Sequence, residues 1–108
     1  MEKVFDKLVR DNIPKIISEN GSLPVTRVLS DDEYFFYLKK KLLEECNEVL
    51  NSKSNSEILE ELSDVLEVVY SMSKFLSTSH SQLETLRESK SSERGSFDCK
   101  ILLEKIIY

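Results

Sequence analysis

Five carboxylates in two short stretches carry the chemistry that this sequence offers. Glu44, Glu45 and Glu48 lie within Leu42–Leu50, and Glu61 and Asp64 lie within Ile58–Met72. Glu45 and Glu48 are three residues apart, as are Glu61 and Asp64, and residues at that spacing share one side of a helix. Two such helices folded back on each other would gather four carboxylates. Converging carboxylates repel unless a cation stands among them, and hard divalent cations such as Mg²⁺ prefer oxygen ligands. The spacing therefore predicts a Mg²⁺ site between two helices, held by Glu45, Glu48, Glu61 and Asp64.

A Glu-rich helix face is by default a solvated one, because Glu is a good helix former. The positions of these residues argue against that default. At about 100° per residue, Ile58, Leu62, Val65, Val69 and Met72 form one apolar stripe, and Glu61 falls inside it. Asp64 sits at the stripe's edge beside Val68. On the preceding segment Phe35, Leu42, Leu43, Cys46, Val49 and Leu50 form the stripe, with Glu45 at its border and Glu48 one step outward. Glu44 and Glu60 point more to solvent. A carboxylate in an apolar stripe is costly unless paired or bound to a metal.

The elements that must position these groups follow from local signals. Asn12 and Pro14 start a short helix with Ile13, Ile16 and Ile17 as its contacts, and Gly21 stops it. Val4–Asp11 has an extended look, and Val25–Leu29 suits a short strand or an extended connector. Ser30 with Glu33 forms a capping box for a long helix to about Leu50. Lys40–Glu44 and Lys41–Glu45 are four-spaced pairs within it. Asn51–Ser56 is a polar loop short enough to force an antiparallel hairpin. A second long helix is expected over Ser56–Leu76. After the polar break Ser77–Ser81, Ser81 with Glu84 is a second capping box for an edge-packed helix to about Ser91. His80, the one histidine, falls in the break and carries no expected role. Ile101–Leu103 and Ile106–Ile107 suit a short strand or a docked segment.

The 108 residues suit a single domain over 1–108. The net charge of −5 disfavours nucleic-acid binding. No apolar run approaches the length of a membrane span, and the charged Met1–Arg10 stretch is unlike a signal peptide. Cys46 and Cys99 have no metal-ligand spacing, and Cys46 suits core packing. A reducing cytoplasm is the expected location.

Several stretches together resemble a known family. Glu44-Glu45-Cys-Asn-Glu48 fits Glu-Glu-x-x-Glu, and Glu61-Leu-Ser-Asp64 fits Glu-x-x-Asp. Both are similar to motifs of the all-α nucleoside triphosphate pyrophosphohydrolases of the MazG type. That superfamily includes phosphoribosyl-ATP pyrophosphohydrolase and dimeric dUTPases. The opening Lys7-Leu-Val-Arg-Asp-Asn-Ile-Pro14 resembles the Lys-Leu-Val-Arg-Asp-Lys-Ile-Pro start of the phosphoribosyl-ATP pyrophosphohydrolase-like branch. Lys90 with Arg94-Gly-Ser-Phe97 resembles that branch's Lys-x-x-x-Arg-Gly-Gly-Phe. Asn12 and Ser96 depart from the pattern, and the Glu48-to-Glu61 separation is short.

The resemblance implies an all-α antiparallel helical bundle with short extended terminal segments, assembled as a homodimer or higher oligomer. It implies Mg²⁺, with Mn²⁺ as a substitute, bound by Glu45, Glu48, Glu61 and Asp64. Glu44 or Glu48 would orient or deprotonate the attacking water. Lys7, Arg10, Lys90, Arg94 or Lys100 would contact phosphate charge, with Lys90 and Arg94 favoured because they match the signature. The implied reaction hydrolyses a nucleotide between its α- and β-phosphates. Two alternatives stand beside it: the phosphoribosyl-ATP step of histidine biosynthesis, and a non-catalytic helical binding or regulatory module.

Overall fold

Four helices account for all the regular structure in the computed structural model, which describes residues 1–108 and contains no strand. Helix α1 spans Ile13–Glu19 with Pro14 in its first turn, where a missing N–H costs nothing. The chain leaves it through Gly21 at φ 89°, a left-handed conformation that glycine enters without a Cβ clash.

Helix α2 spans Asp31–Asn51. Its start is fixed locally by the expected box: the Glu33 N–H donates to Ser30 Oγ at 3.3 Å, and the Ser30 N–H donates to Glu33 Oε1 at 3.4 Å. Asp31, Asp32 and Glu33 occupy the first turn, where negative charge suits the helix dipole. Helix α3 spans Asn55–Phe75, capped by Ser54. The link between the two is only Ser52–Ser54, so α3 folds straight back along α2. Two aromatic contacts fix the antiparallel sense. Phe35, near the start of α2, stacks on Phe75, at the end of α3, with centroids 4.9 Å apart and planes 16° apart, and Tyr34 meets Phe75 edge-on.

The seam between them runs through Tyr34, Leu38, Leu42, Glu45 and Val49 on α2 and through Ile58, Glu61, Val65, Val68 and Met72 on α3. Leu38 and Val68 are its two buried residues, and the others are half-buried. Glu61 thus lies in the seam, as its position in the stripe predicts. Leu43, Leu50 and Leu62, expected in the stripes, are exposed instead. Both helices carry apolar residues on more than one face, and only one face meets the neighbour.

Helix α4 spans His80–Arg94 and packs on α3. It begins two residues before the expected box, because Ser79 rather than Ser81 is the cap. The Gln82 N–H donates to Ser79 Oγ at 3.1 Å, and the Ser79 N–H donates to Gln82 Oε1 at 2.8 Å. The turn after α3 is tight: Ser77 sits at φ 58°, and the buried Ser73 donates its hydroxyl to the Thr78 carbonyl at 2.9 Å. Ser79 is therefore the cap. His80 is the first residue of α4 rather than a loop residue, with its ring 4.1 Å from that of Tyr70.

Val25–Leu29 and Ile101–Ile107 form no strand, and the latter segment is exposed rather than docked. A strand needs a neighbour to pair with, and an all-helical chain supplies none. No helix is long and apolar enough to cross a membrane.

The chain exposes far more surface than its mass requires. Its accessible area is 9918 Å², whereas a compact 12.5 kDa protein exposes about 6,200 Å². Its radius of gyration is 18.3 Å, against about 13 Å for a compact chain of this length.

Candidate functional site

The α2/α3 hairpin brings three of the four expected ligands together. Carboxylate oxygens of Glu45, Glu61 and Asp64 all lie within 4.8 Å of one another. Glu45 comes from the middle of α2, and Glu61 and Asp64 come from the first half of α3, one helical turn apart. The Glu45 side chain is only 12% exposed, against 39% for Asp64. Glu48 stands outside this triad and is exposed, although its charge reaches Glu61.

The electrostatics show the strain of this arrangement. Partial loss of hydration, and then the charges of Asp64, Glu48, Glu45 and Glu60, push the Glu61 carboxyl above its ordinary range. Three basic side chains relieve the rest of the cluster. Lys41 Nζ lies 3.4 Å from Glu45 Oε1 and 3.4 Å from Glu44 Oε2. Lys7 Nζ lies 3.2 Å from Glu44 Oε1, and Arg10 Nη2 lies 2.6 Å from Asp64 Oδ1. Burial alone would raise the Glu44 carboxyl. The hydrogen bond from Lys7 and the charge of Lys41 outweigh it and hold the group below its ordinary value.

Glu44, Glu45, Glu48, Glu60, Glu61 and Asp64 against Lys7, Arg10 and Lys41 leave the region three negative charges in excess. A divalent cation would offset most of that excess. The triad offers oxygen ligands alone, the donor type that Mg²⁺ takes. Octahedral Mg²⁺ takes its oxygens at about 2.1 Å, so the three carboxylates would have to draw closer together to hold it.

The four expected phosphate contacts divide into two pairs. Lys7 and Arg10 reach the acidic site from the segment Met1–Arg10. Lys90 and Arg94 lie exposed on α4, and their side chains make no ion pair or hydrogen bond. Lys100 is exposed at φ 59° in the segment beyond. The pair Lys40–Glu44 does not form: Lys40 lies over the rings of Phe36 and Tyr37, and Lys41 serves both Glu44 and Glu45. Arg10 pairs with Asp64 and not with its neighbour Asp11. The four-residue spacing pairs Lys41 with Glu45, but no local signal links Arg10 to a residue 54 positions away.

Comparison with known proteins adds one relative. A protein of Mycolicibacterium smegmatis, described as uncharacterized, is 46% identical over 54 residues, which cover 50% of this chain and 55% of that protein. The chain thus spans about half the length of the relative it matches. No protein-family model matches the chain, and no solved structure does.

Proposed function

We propose that this chain is a Mg²⁺-dependent nucleotide pyrophosphohydrolase that cleaves a nucleoside triphosphate between its α- and β-phosphates, releasing a nucleoside monophosphate and pyrophosphate. The observation that carries the reading is the convergence of Glu45, Glu61 and Asp64 across two helices. The order of motifs similar to those of the MazG-type enzymes supports it.

Glu45, Glu61 and Asp64 would hold the ion, with Glu48 completing the set from the edge. Bound there, Mg²⁺ or Mn²⁺ neutralises phosphate charge and makes a bound water more acidic. Glu48 is the better general base, because Glu44 is engaged by Lys41 from its own helix and a lowered pKa makes a poor proton acceptor. Glu48 takes the water proton as the new oxygen–phosphorus bond forms and the bond to the bridging oxygen breaks. Lys7 and Arg10 stand where they can meet the remaining phosphate charge. Lys90 and Arg94 join this role only from α4, which they occupy without partners.

The reading includes a second copy of the chain. Phe36, Leu43 and Leu50 recur every seven residues on α2, and Leu59, Leu62 and Leu66 recur at three and four on α3; each is about half exposed or more. Such rows are the seams of helical bundles. The surplus surface, roughly 3,700 Å² over a compact chain, is enough for one side of an obligate interface. Two hairpins joined along these rows form the antiparallel bundle that one chain lacks.

The deciding assay incubates the protein with a panel of nucleoside and deoxynucleoside triphosphates and phosphoribosyl-ATP in Mg²⁺ and follows pyrophosphate release. Turnover that Glu61→Gln and Asp64→Asn each abolish is the expected result. Turnover that survives both removes the metal assignment. No turnover across the panel by a folded dimer favours a non-catalytic module.

A further inference from the structure

We propose that Met1–Arg10 is a strap over the acidic site that a divalent cation displaces. The proposal rests on the metal reading above. The segment has no regular structure, and none of its residues is buried. Two of its cations nevertheless reach different helices: Lys7 grips Glu44 on α2, and Arg10 grips Asp64 on α3. Beyond Arg10 the chain is anchored, because the Arg10 carbonyl accepts the Ile13 N–H at 3.0 Å and α1 follows at once. The strap is thus fixed at one end and held elsewhere by charge.

The carboxylate that Arg10 holds is one of the three that converge on the cation site. Arg10 and a divalent ion therefore compete for Asp64. The contest favours the ion, since Arg10 and Asp64 are 55% and 39% exposed. An ion pair so open to solvent shifts a competing equilibrium by about fivefold at most. Apart from the half-buried Leu8 and Val9, little else holds the strap down. A cavity of about 170 Å³ lies between Asp6, Lys7 and Leu8 of the strap and Tyr37, Lys40 and Lys41 of α2. A segment packed this loosely opens at small cost. Once lifted, Lys7 and Arg10 are free cations beside the site, suited to the phosphate chain of the incoming nucleotide. Loading the ion and arming the phosphate contacts become one event.

The test uses the full chain with Mn²⁺ alone. Calorimetry is expected to show Arg10→Gln binding Mn²⁺ about fivefold more tightly than the unaltered protein. Trypsin cleavage after Lys7 is expected to quicken several-fold in saturating Mn²⁺, with cleavage after Lys105 as the control. In Arg10→Gln that cleavage is expected to be fast with or without the ion. Lys7→Gln separates displacement from bulk charge, because it removes the same charge without freeing Asp64. An equal gain in affinity for Lys7→Gln and Arg10→Gln overturns the strap. So does Mn²⁺ binding with no change in cleavage after Lys7, and in both cases the metal site stands. No Mn²⁺ binding by any of the three proteins removes the metal reading and the strap with it.

Discussion

Phe35 stacks on Phe75 at the open end of the α2/α3 hairpin, with ring centroids 4.9 Å apart, and this contact sets the register of the acidic site. Glu45 lies ten residues beyond Phe35, and Asp64 lies eleven before Phe75, so at 1.5 Å per residue both stand about 15–17 Å from the stack. The clamp and the short link Ser52–Ser54 hold the two helices at opposite ends, and the carboxylates meet between them.

Phe75→Ala should therefore weaken both fold and site. Phe75 is half-buried against Tyr34 and Phe35, so the expected loss is about 2 kcal/mol, below the range for a fully buried aromatic. Urea unfolding followed by circular dichroism measures it. An unchanged midpoint would show that the stack contributes nothing to the hairpin.

Glu61→Gln should stabilise the metal-free protein at neutral pH. The Glu61 carboxyl is raised in the folded state, first by lost hydration and then by its acidic neighbours, so folding favours its neutral form. Stability falls as pH rises from the ordinary carboxylate range through the raised value, and the penalty is fully present above it. Gln never ionises and escapes that penalty. The thermal midpoint of the variant should exceed that of the unaltered protein at pH 7, and the gap should close near pH 4. A variant less stable at pH 7 would overturn the account.

The start of α2 should fray in acid. Glu33 accepts two hydrogen bonds from Arg27, at 3.2 and 2.8 Å, and one from the Ser30 N–H. These lower its carboxyl from 4.5 to about 2. Its contribution is complete above about 4.5 and is lost as pH falls toward about 2. Amide protection factors, corrected for the intrinsic pH dependence of exchange, should fall at Glu33 and Tyr34 across that window, and Arg27→Gln should move the onset to higher pH.

Gly95→Ala should unwind the end of α4 rather than the whole protein. Gly95 sits at φ 82°, ψ 173°, a region essentially closed to other residues, and occupying it costs about 1–3 kcal/mol. No atom lies within 4 Å of an added Cβ, so the strain is in the backbone alone. Faster amide exchange over Lys90–Arg94 with a nearly constant global midpoint is the expected signature.

The parts of the fold that were readable in advance are those decided within a few residues. The Ser30–Glu33 box, Pro14 and Gly21 around α1, and the place of Glu61 in its stripe are all of this kind. Two serines with suitable partners three residues on, Ser79 with Gln82 and Ser81 with Glu84, were locally equivalent. The tight turn at Ser77 decided between them. The exposed rows on α2 and α3 show a second limit. Periodicity locates an apolar face but does not say whether the same chain or another covers it. The tie between Arg10 and Asp64 joins segments with no shared local pattern, so it appears only in three dimensions.

The exposed segment Ile101–Tyr108 reads Ile-Leu-Leu-Glu-Lys-Ile-Ile-Tyr. Without Glu104 and Lys105 it would be an unbroken sticky run, suited to stacking into fibrils. Those two adjacent charges are placed as gatekeepers against amyloid-like self-templating of this segment.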